Sequence, residues 1–573
     1  MTQPVSPASD APWIVQKYGG TSVGKFIATI VDTIAPFYLL NNRLVIVCSA
    51  RSGKTKALGT TNLLLQASRE AVSRSSPQSS AAPTPLSSSF HGSTSGSLSS
   101  SQLTARLETK AAFHDTVDKL LEDHLEAARI AVPNNPDMLE QLEKEITDEC
   151  DGLREFLQAA QIIHEVSSRS RDMIMGLGER LACRLVSTAL KARGIESTLV
   201  TLETIVDELD DEVVRPPQNS YESTSYLGQP FYDALSEALA ARIKNCKGVP
   251  VVTGYFGNVP GSLLSQVGRG YSDLCAALCA VGLQATELQI WKEVDGVFTA
   301  DPRKVPTARL VPAITPEEAA ELTYYGSEVI HPFTMEQAIK KSVPIRIKNV
   351  ENPTGAGTVI FPDHTTQSKE DDIIRDPFMD GHVNQPEPPK SGMATPVGNN
   401  PKDSRKMPTA VTIKDNIIVL NVHSNRKTIS HSFFARIFGT LNRYGVVVDL
   451  ISTSEVHVSM AMTAEISART LERLSADLEH VGTVSVLRDM VILSLVGKEM
   501  RHMVGVAGRM FSTLAEGNVN IEMISQGANE INISCVIHEG SALKALNLIH
   551  YSILELSPKP ANMEGGTFGR SFF

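Results

Sequence analysis

The sequence lacks several features that would direct a protein to a membrane, to nucleic acid or out of the cell. No apolar run approaches the roughly 18 residues that a membrane-spanning helix needs. Positive charge is not in excess, because the net charge at pH 7 is -11 over 573 residues. Met1–Pro12 has neither the basic start nor the apolar core of a signal peptide. We therefore expect a cytoplasmic protein with no nucleic-acid partner and no membrane partner.

Cysteine is scarce as well, and it is not arranged for cross-linking or metal binding. The chain has 7 cysteines, an odd number, and no two of them form a C-x-x-C pair. Cys275 and Cys279 share a predicted helix face, but no second pair is available to complete a zinc site. We expect buried free thiols in a reducing compartment and no metal ligands from the protein. On a prior of about 150 residues per domain, the chain should hold about three or four domains.

A strand, a pair of glycines and a helical pattern meet near the amino terminus. The apolar stretch Trp13–Val15 leads into Lys17–Gly24, whose sequence is KYGGTSVG. Apolar residues then recur at helical spacing between residues 26 and 34, and Thr21 or Ser22 is expected to cap that helix. Paired glycines let a phosphate approach the backbone, and the lysine adds a positive charge. The stretch predicts a phosphate site, although many strand–glycine–helix turns bind nothing.

The sequence contains two further polar turns. One follows a predicted strand, and the other precedes a predicted helix. The buried strand Arg43–Cys48 is followed by a turn with hydroxyl groups at Ser49 and Thr55. Farther along, Gly268–Asp273 (GRGYSD) opens a helix that continues over Leu274–Val281. The arginine of this turn has the planar fork that suits a carboxylate or a phosphate. Short apolar strands alternate with helices in this part of the chain, which predicts a layered α/β domain with a largely parallel sheet.

The carboxy-terminal part contains an internal repeat. Arg436–Leu441 matches Arg509–Leu514, and Val448–Ser452 matches Ile521–Ser525 at the same offset. Each copy has the pattern strand, helix, strand, strand, helix, with the alternation that marks half-buried sheets. The repeat predicts two small α+β ligand-binding modules whose sheets pair side by side. A purely dimerising domain is the alternative, because fold alone does not set function.

Together these stretches resemble the aspartate kinases, a branch of the amino-acid kinase family that carries two ACT regulatory domains. The sequence departs from the bacterial pattern at Tyr271, at Lys292–Glu293 and at Gly326–Glu328, where bacterial members have Gly, Thr–Asp and Gly–Ala–Lys. These departures resemble the fungal branch, and the last removes a lysine on the ATP side. The stretches that carry the resemblance are Lys17–Ser22, Ser49–Gly53, Gly178–Glu179, Gly268–Asp273 and Val294–Arg303.

The resemblance implies an order of domains. Residues 1–362 would form a catalytic domain with the amino-acid kinase fold, a layered α/β/α structure with a largely parallel sheet. Within it, the serine-rich residues 73–102 are too poor in apolar side chains to pack and are expected to be a disordered insertion. A proline-rich linker over 363–406 would lead to two α+β ACT domains at 407–490 and 491–573.

The implied reaction transfers the γ-phosphoryl group of ATP to the β-carboxylate of L-aspartate, giving 4-phospho-L-aspartate. A carboxylate is already ionised at neutral pH, so catalysis depends on alignment and on charge neutralisation. Lys17 and Asp273 would be catalytic, and Mg2+ is expected on the ATP phosphates. The implied substrate-binding residues are Ser49, Thr55, Glu179, Arg269 and Ser272, and the nucleotide-binding residues are Gly19, Gly20, Ser22, Lys292, Glu293, Phe298 and Arg303.

The ACT pair implies feedback inhibition by an end-product amino acid, and the likeness to fungal enzymes points to threonine. A homodimer or higher homo-oligomer through the ACT domains is also implied. Two alternatives stay open: another kinase of the family that acts on glutamate or acetylglutamate, and a non-catalytic ACT sensor of amino acids. The implied effector-binding residues are Asp449, Ser454 and Glu455 in the first copy and Asn518, Ile521 and Gln526 in the second.

Overall fold

The computed structural model describes residues 11–53, 59–73, 112–210, 214, 227–260, 262–263, 267–327, 329–361, 407–424, 432–527 and 531–554. The predicted linker and, apart from Ser73, the predicted serine-rich insertion lie outside these residues. The chain divides into two compact units. The first combines Met1–Gly296 with Phe333–Val383, and the second combines Val297–Pro332 with Asn384–Phe573.

A mostly parallel sheet runs through the first unit. Its strands lie in the order β3-β4-β2-β1-β5-β7-β8. All neighbours are parallel except β7 and β8, which are antiparallel. Nearly every residue of β1, β2 and β4 is buried, as expected for parallel strands covered on both faces. The strands are β1 (Trp13–Tyr18), β2 (Arg43–Cys48), β3 (Ser197–Val200), β4 (Val249–Thr253), β5 (Glu287–Lys292), β7 (Ile345–Asn349) and β8 (Thr358–Ile360).

Helices cover this sheet. The core of one face joins alternate residues of the central strands, such as Ile14 and Ile46, to helices α1 to α7. Helices α8 and α9 contact each other, and α9 also contacts β1, β2 and β5. The helices are α1 (Gly20–Lys25), α2 (Ile27–Thr29), a π-helical turn (Ile30–Ile34), α3 (Ala35–Leu39), α4 (Thr60–Val72), α5 (Ala112–Ala131), α6 (Pro136–Ile163), α7 (Ser168–Ala192), α8 (Gln229–Lys244), α9 (Tyr271–Leu283) and α11 (Pro332–Lys340). The predicted layered α/β fold is confirmed.

The described part of the second unit has a six-stranded sheet in the order β10-β11-β9-β12-β14-β13, with antiparallel neighbours. The two longest strands, β9 and β12, open the two copies of the repeat and pair at the centre. The elements are β9 (Ala410–His423), α12 (Ser432–Arg443), β10 (Leu450–Thr453), β11 (His457–Thr463), α13 (Ala468–Glu479), β12 (Thr483–Val496), α14 (Val506–Glu516), β13 (Met523–Ser525), β14 (Asn532–His538) and α15 (Ala542–Ile549). The predicted order of elements and the side-by-side sheets are confirmed.

Among its described residues, the second unit has three hydrophobic cores. The first copy buries Ile437 and Leu441 of α12 against Leu420 of β9. The second copy buries α14 and α15 in a separate core that includes Met510. A third cluster contains Leu450 of β10 and Met523 of β13, so the two edge strands of the sheet share apolar contacts.

The segment Val297–Pro332 belongs to the second unit although it precedes the last strands of the first. It carries β6 (Ala313–Ile314) and α10 (Pro316–Tyr324), and α10 begins with a capping box formed by Thr315 and Glu318. The Glu318 carboxylate also accepts hydrogen bonds from the Thr409 hydroxyl, at 2.5 Å, and from the backbone of Lys498, at 2.8 Å. The division of the chain therefore differs from the predicted boundary at residue 362.

Among the described residues, no helix combines the length and the apolar character that crossing a bilayer requires.

We predict that two neighbouring residues of α12 differ sharply in their contribution to stability. Ile437 is fully buried, whereas the Phe438 side chain is 43% exposed. Ile437→Ala should lower the free energy of unfolding of the first copy by about 2–4 kcal/mol, because it leaves a cavity. Phe438→Ala should change it by about 0.5 kcal/mol or less. Hydrogen exchange of β11 in urea measures both variants, and equal effects would contradict this core.

Candidate active site

Several of the predicted site residues lie where neighbouring parallel strands end. Lys17 is close to the end of β1, level with Val47 of β2 and Ile290 of β5. Ser49 directly follows β2, and Gly254 directly follows β4. In parallel sheets the carboxyl ends of adjacent strands open onto one edge, where ligands bind. The topology therefore gathers turns that are far apart in sequence.

An ion pair joins the first of these turns to helix α9. The Lys17 Nζ lies 2.6 Å from Oδ1 of Asp273, and the two side chains are 11% and 18% exposed. Asp273 is in the first turn of α9, where a carboxylate is favoured by the helix dipole. Because the pair is partly buried, salt weakens it less than it would weaken a pair on the surface. The ion pair therefore holds the Lys17 ammonium beside Asp273.

Close contacts also join the other turns. The Ser49 and Ser272 hydroxyl groups share a hydrogen bond of 2.8 Å. At Gly254, a Cβ atom would lie 2.4 Å from the Cβ of Ser272 and 3.0 Å from Oε2 of Glu179. No residue larger than glycine fits there without movement. Residues from β4, α7 and α9 thus meet at one point.

The glycine pair after β1 packs against the turn after β2. The backbone N–H of Ser52 donates to the Gly20 carbonyl at 2.9 Å, and a Cβ on Gly20 would lie 2.3 Å from the Ala50 carbonyl oxygen. At Gly19, by contrast, a Cβ would meet no atom of the described structure within 4 Å. Gly20 is therefore required for packing, whereas Gly19 borders open space that a ligand can enter.

The carboxyl group of Glu179 is buried beside this cluster. Glu179 is 2% exposed, and its Oε2 has no hydrogen-bond partner within the described part of the chain. Burial raises the pKa of Glu179 to about 8, while hydrogen bonding by Tyr271 and the positive charge of Lys17 oppose that rise. The carboxyl group is thus mostly neutral at pH 7, and a bound cation would favour its ionised form.

Tyr271 is a site residue that the sequence analysis noted as a departure from the bacterial pattern without giving it a role. Its side chain is 7% exposed, and it forms a side-chain hydrogen bond with Glu179. Burial and the nearby Glu179 raise the pKa of the tyrosine hydroxyl well above its ordinary value, so the hydroxyl keeps its proton as a donor. Its place at the start of α9, next to Ser272, was the available signal.

The expected helix cap near the amino terminus is wrong. Helix α1 begins at Gly20, and its N-cap residue is Gly19, which has no side chain to cap it. Ser22 is buried inside the helix, and its hydroxyl donates to Oε1 of Glu293 at 2.8 Å. Ser22 and Glu293, both predicted to be near the nucleotide, are therefore in contact. Lys292 is the last residue of β5 and directly precedes Glu293.

Two other residues predicted to bind nucleotide, Phe298 and Arg303, belong to the second unit. Phe298 forms an isolated bridge with Leu310. The Arg303 guanidinium pairs with Asp301 at 3.1 Å and is 89% exposed. Thr55, Glu328 and the side chain of Arg269 lie outside the described residues.

The predicted effector residues occupy turns around the two edge strands of the second unit. Asp449, just before β10, pairs with Nζ of Lys414 at 2.7 Å and accepts a hydrogen bond from Thr463 at 3.3 Å. Ser454 and Glu455 are exposed in the turn after β10. In the second copy, Asn518 and Gln526 are exposed, and Ile521 packs against the core of that copy. Asn518 has a positive φ of 51°, which is typical of a turn.

The sequence matches two known families. Residues 12–349 match the Amino acid kinase family, and residues 493–553 match the ACT domain. The first match covers more than half of the chain. The chain belongs to the amino acid kinase family.

Similar proteins extend over nearly the whole chain. The aspartokinase of Schizosaccharomyces pombe is 48% identical over 95% of this chain and 93% of its own length. The aspartokinase of Saccharomyces cerevisiae is 43% identical over 98% of this chain and 96% of its own length. The predicted resemblance to the fungal aspartate kinases is confirmed.

The fold is also similar to that of solved structures. Aspartokinase III of Escherichia coli, in complex with aspartate and ADP, aligns with a TM-score of 0.62 at 22% identity, covering 95% of this chain and all 100% of that one. The aspartate kinase of Clostridium acetobutylicum aligns with a TM-score of 0.63 at 19% identity, covering 94% of this chain and 100% of that one. At these identities the likeness concerns the fold.

We predict that two helix glycines respond in opposite ways to alanine. A Cβ at Gly178 would lie 2.7 Å from Cγ2 of Thr60 and 3.0 Å from Cβ of Ala50, whereas a Cβ at the exposed Gly152 meets no described atom within 4 Å. Gly178→Ala should lower the melting temperature and displace the turn after β2. Gly152→Ala should stabilise the protein by about 0.5–1 kcal/mol through helix propensity. Calorimetry compares them, and a neutral Gly178→Ala would refute this packing.

Proposed function

We propose that this chain is an ATP-dependent aspartate kinase, which phosphorylates the β-carboxylate of L-aspartate. The observation that carries the proposal is the ion pair of Lys17 and Asp273, located beside the buried carboxyl group of Glu179. A single cluster thereby offers a cation for phosphates and an acidic group for an ammonium ion. The fungal relatives named aspartokinase support the same conclusion.

Aspartate binding is assigned to residues from three helices and turns. Glu179 pairs with the α-ammonium group, and its unpartnered Oε2 is available to accept a hydrogen bond from it. Ser49 and Ser272, whose hydroxyls are 2.8 Å apart, complete the pocket. Arg269 and Thr55 are proposed from their positions in the sequence, with the Arg269 guanidinium binding the α-carboxylate.

Lys17 is assigned to the transferred phosphoryl group. A β-carboxylate oxygen of aspartate attacks the γ-phosphorus of ATP and forms a new P–O bond. The bond from the γ-phosphorus to the bridging oxygen breaks, and the electron pair leaves with ADP. The carboxylate is already ionised, so no base is needed, and the barrier falls through alignment and through neutralisation of the phosphoryl oxygens. Asp273 keeps the Lys17 ammonium at the required place.

The nucleotide side of the pocket is assigned to the glycine pair and its neighbours. Gly19 borders open space that phosphates can enter, and Gly20, Ser22, Lys292 and Glu293 adjoin it. Phe298 and Arg303 stay proposals from the sequence. No group of three metal-binding side chains that could hold an ion occurs in the described residues, so we propose that Mg2+ arrives bound to ATP as part of the substrate.

Lys17→Met tests the proposal directly. Removing the cation should lower kcat by about 10²–10³-fold, because a preorganised charge on the transferred group is lost. The matched control is Lys244→Met, an exposed lysine at the end of α8, which should keep full activity. ADP release is measured with aspartate, glutamate and acetylglutamate as acceptors. Near-normal turnover in Lys17→Met would contradict the role of the lysine, and faster turnover of glutamate would favour the alternative kinase.

We further propose that an end-product amino acid, threonine, inhibits the enzyme through the ACT pair, and that a homodimer or larger homo-oligomer forms through these domains. Ser454 and Glu455 follow one edge strand and Gln526 follows the other, and both edge strands enter one apolar cluster. Asp449 is paired with Lys414, so it is suited to fix the turn that bears the effector contacts. Asn518 and Ile521 are the remaining proposed contacts.

Calorimetric titration with threonine, lysine and methionine tests the regulation. Threonine should bind and lower the rate of ADP release. Glu455→Gln should weaken binding about tenfold, because a charged acceptor for the effector ammonium is lost. Glu472→Gln, an exposed carboxylate on α13, serves as the matched control and should bind like the parent protein. If none of the three amino acids binds, the regulatory proposal fails.

A cytoplasmic location is part of the proposal. All 7 cysteines lie in the described part of the chain and are free, which is typical of a reducing compartment.

A further inference from the structure

Part of the predicted nucleotide-binding loop (Val294–Arg303) and the residues that follow it are fixed by the second ACT copy and by β9. Ala300 and Val305 are part of the hydrophobic core of that copy. The Arg309 guanidinium donates to the carbonyl of Leu554 at 2.7 Å, and the Lys304 ammonium pairs with Asp415 at 3.0 Å. Residues 300–309 thus lie within the match to the amino acid kinase family, although their contacts are with the regulatory part of the chain.

Thr299, in the middle of this stretch, is hydrogen-bonded through every polar atom. Its backbone N–H donates to the Arg309 carbonyl at 2.8 Å, and its carbonyl accepts from the N–H of Val411 at 2.8 Å. Its hydroxyl accepts from the N–H of Arg309 at 2.9 Å and shares a hydrogen bond of 2.9 Å with Nε2 of His550. The side chain of Thr299 is therefore oriented by residues that are distant in sequence.

His550 is the partner contributed by the end of the second copy. It is 0% exposed and opens the π-helical turn His550–Leu554 that follows α15. Because the Thr299 hydroxyl accepts from Arg309, its own proton is available to Nε2 of His550. The other ring nitrogen, Nδ1, faces the Thr307 hydroxyl at 3.5 Å. The imidazole therefore links two threonines on either side of one turn.

We propose that His550 is a positioning residue for ATP: it fixes Thr299 and thereby the conformation of the nucleotide-binding loop over Val294–Arg303. The inference rests on the proposed kinase function, since that loop was assigned to nucleotide by its resemblance. Through Thr299, the π-helical turn His550–Leu554 sets the affinity for ATP and leaves the affinity for aspartate unchanged. A histidine that served stability alone would affect both substrates, or neither.

Calorimetric measurement of the dissociation constant of ATP tests this role without needing turnover. His550→Phe should weaken ATP binding about fivefold, since a buried hydrogen bond that orders the loop is lost. In the steady-state assay the KM for ATP should rise to a similar degree, with kcat and the KM for aspartate changed less than about twofold. Tyr551→Phe, at the next and 73% exposed residue, is the matched control and should bind ATP normally.

Further variants show whether His550 acts through Thr299. His550→Gln retains an amide that can bond the hydroxyl, so it should bind ATP like the parent protein. Thr299→Val should reproduce the effect of His550→Phe, whereas Thr299→Ser should not. The double variant His550→Phe/Thr299→Val should be no weaker than either single one, because coupled residues do not add. If His550→Phe fails to fold, His550→Gln and the Thr299 pair decide the question.

The outcomes separate this inference from the proposed function. If the protein binds ATP but phosphorylates no aspartate, the function is wrong, and weaker ATP binding by His550→Phe still supports the positioning role. If ATP binds equally to the parent protein and His550→Phe, or if the two substitutions add, the positioning role is overturned. A parent protein that binds no ATP overturns both.

Discussion

The balance of charge around Lys17 is the constraint on which the rest of the site depends. The lysine is nearly buried at the end of a central strand, where an isolated charge would be costly. Asp273 neutralises it at 2.6 Å, and burial raises the pKa of Glu179 to about 8, which favours the neutral carboxyl group at pH 7. The net charge of these three side chains is therefore close to zero. Under the proposed function, each reactant changes this balance: the phosphates of ATP interact with the lysine, and the ammonium group of aspartate favours the ionised form of Glu179.

Close packing of glycines brings these groups together. Cβ atoms at Gly20, Gly178 and Gly254 would each overlap an atom from another turn of the site. Glycine at these positions lets backbones approach within contact distance, which places Ser49, Ser272 and Glu179 side by side. The absence of side chains at these glycines is thus as important for forming the cluster as the polar groups of the turns. The same logic explains why Gly19, which meets no described atom, is suited to ligand contact instead of packing.

Much of this arrangement follows from local patterns in the sequence. Buried apolar runs predict the parallel strands, the repeat predicts the paired sheets, and strands of one direction bring their terminal turns to one edge. Other features depend on contacts that no local pattern contains. Thr21 or Ser22 was expected to cap a helix, but Gly19 is the N-cap residue, and Ser22 binds Glu293 in the turn after β5. The interaction of Tyr271 with Glu179, and the inclusion of Val297–Pro332 in the second unit, depend on tertiary packing alone.

That inclusion makes the two copies of the repeat unequal although their sequences are similar. The core of the second copy contains Ala300 and Val305, whereas the described core of the first copy contains no residue of Val297–Pro332. The copies share β9 and β12, whose pairing runs from one core to the other. The core of the second copy therefore packs directly on Val297–Pro332, whereas the described core of the first copy connects to that segment through these two strands. Duplication supplies two modules of similar sequence, and the packing of Val297–Pro332 against one of them makes their surroundings different.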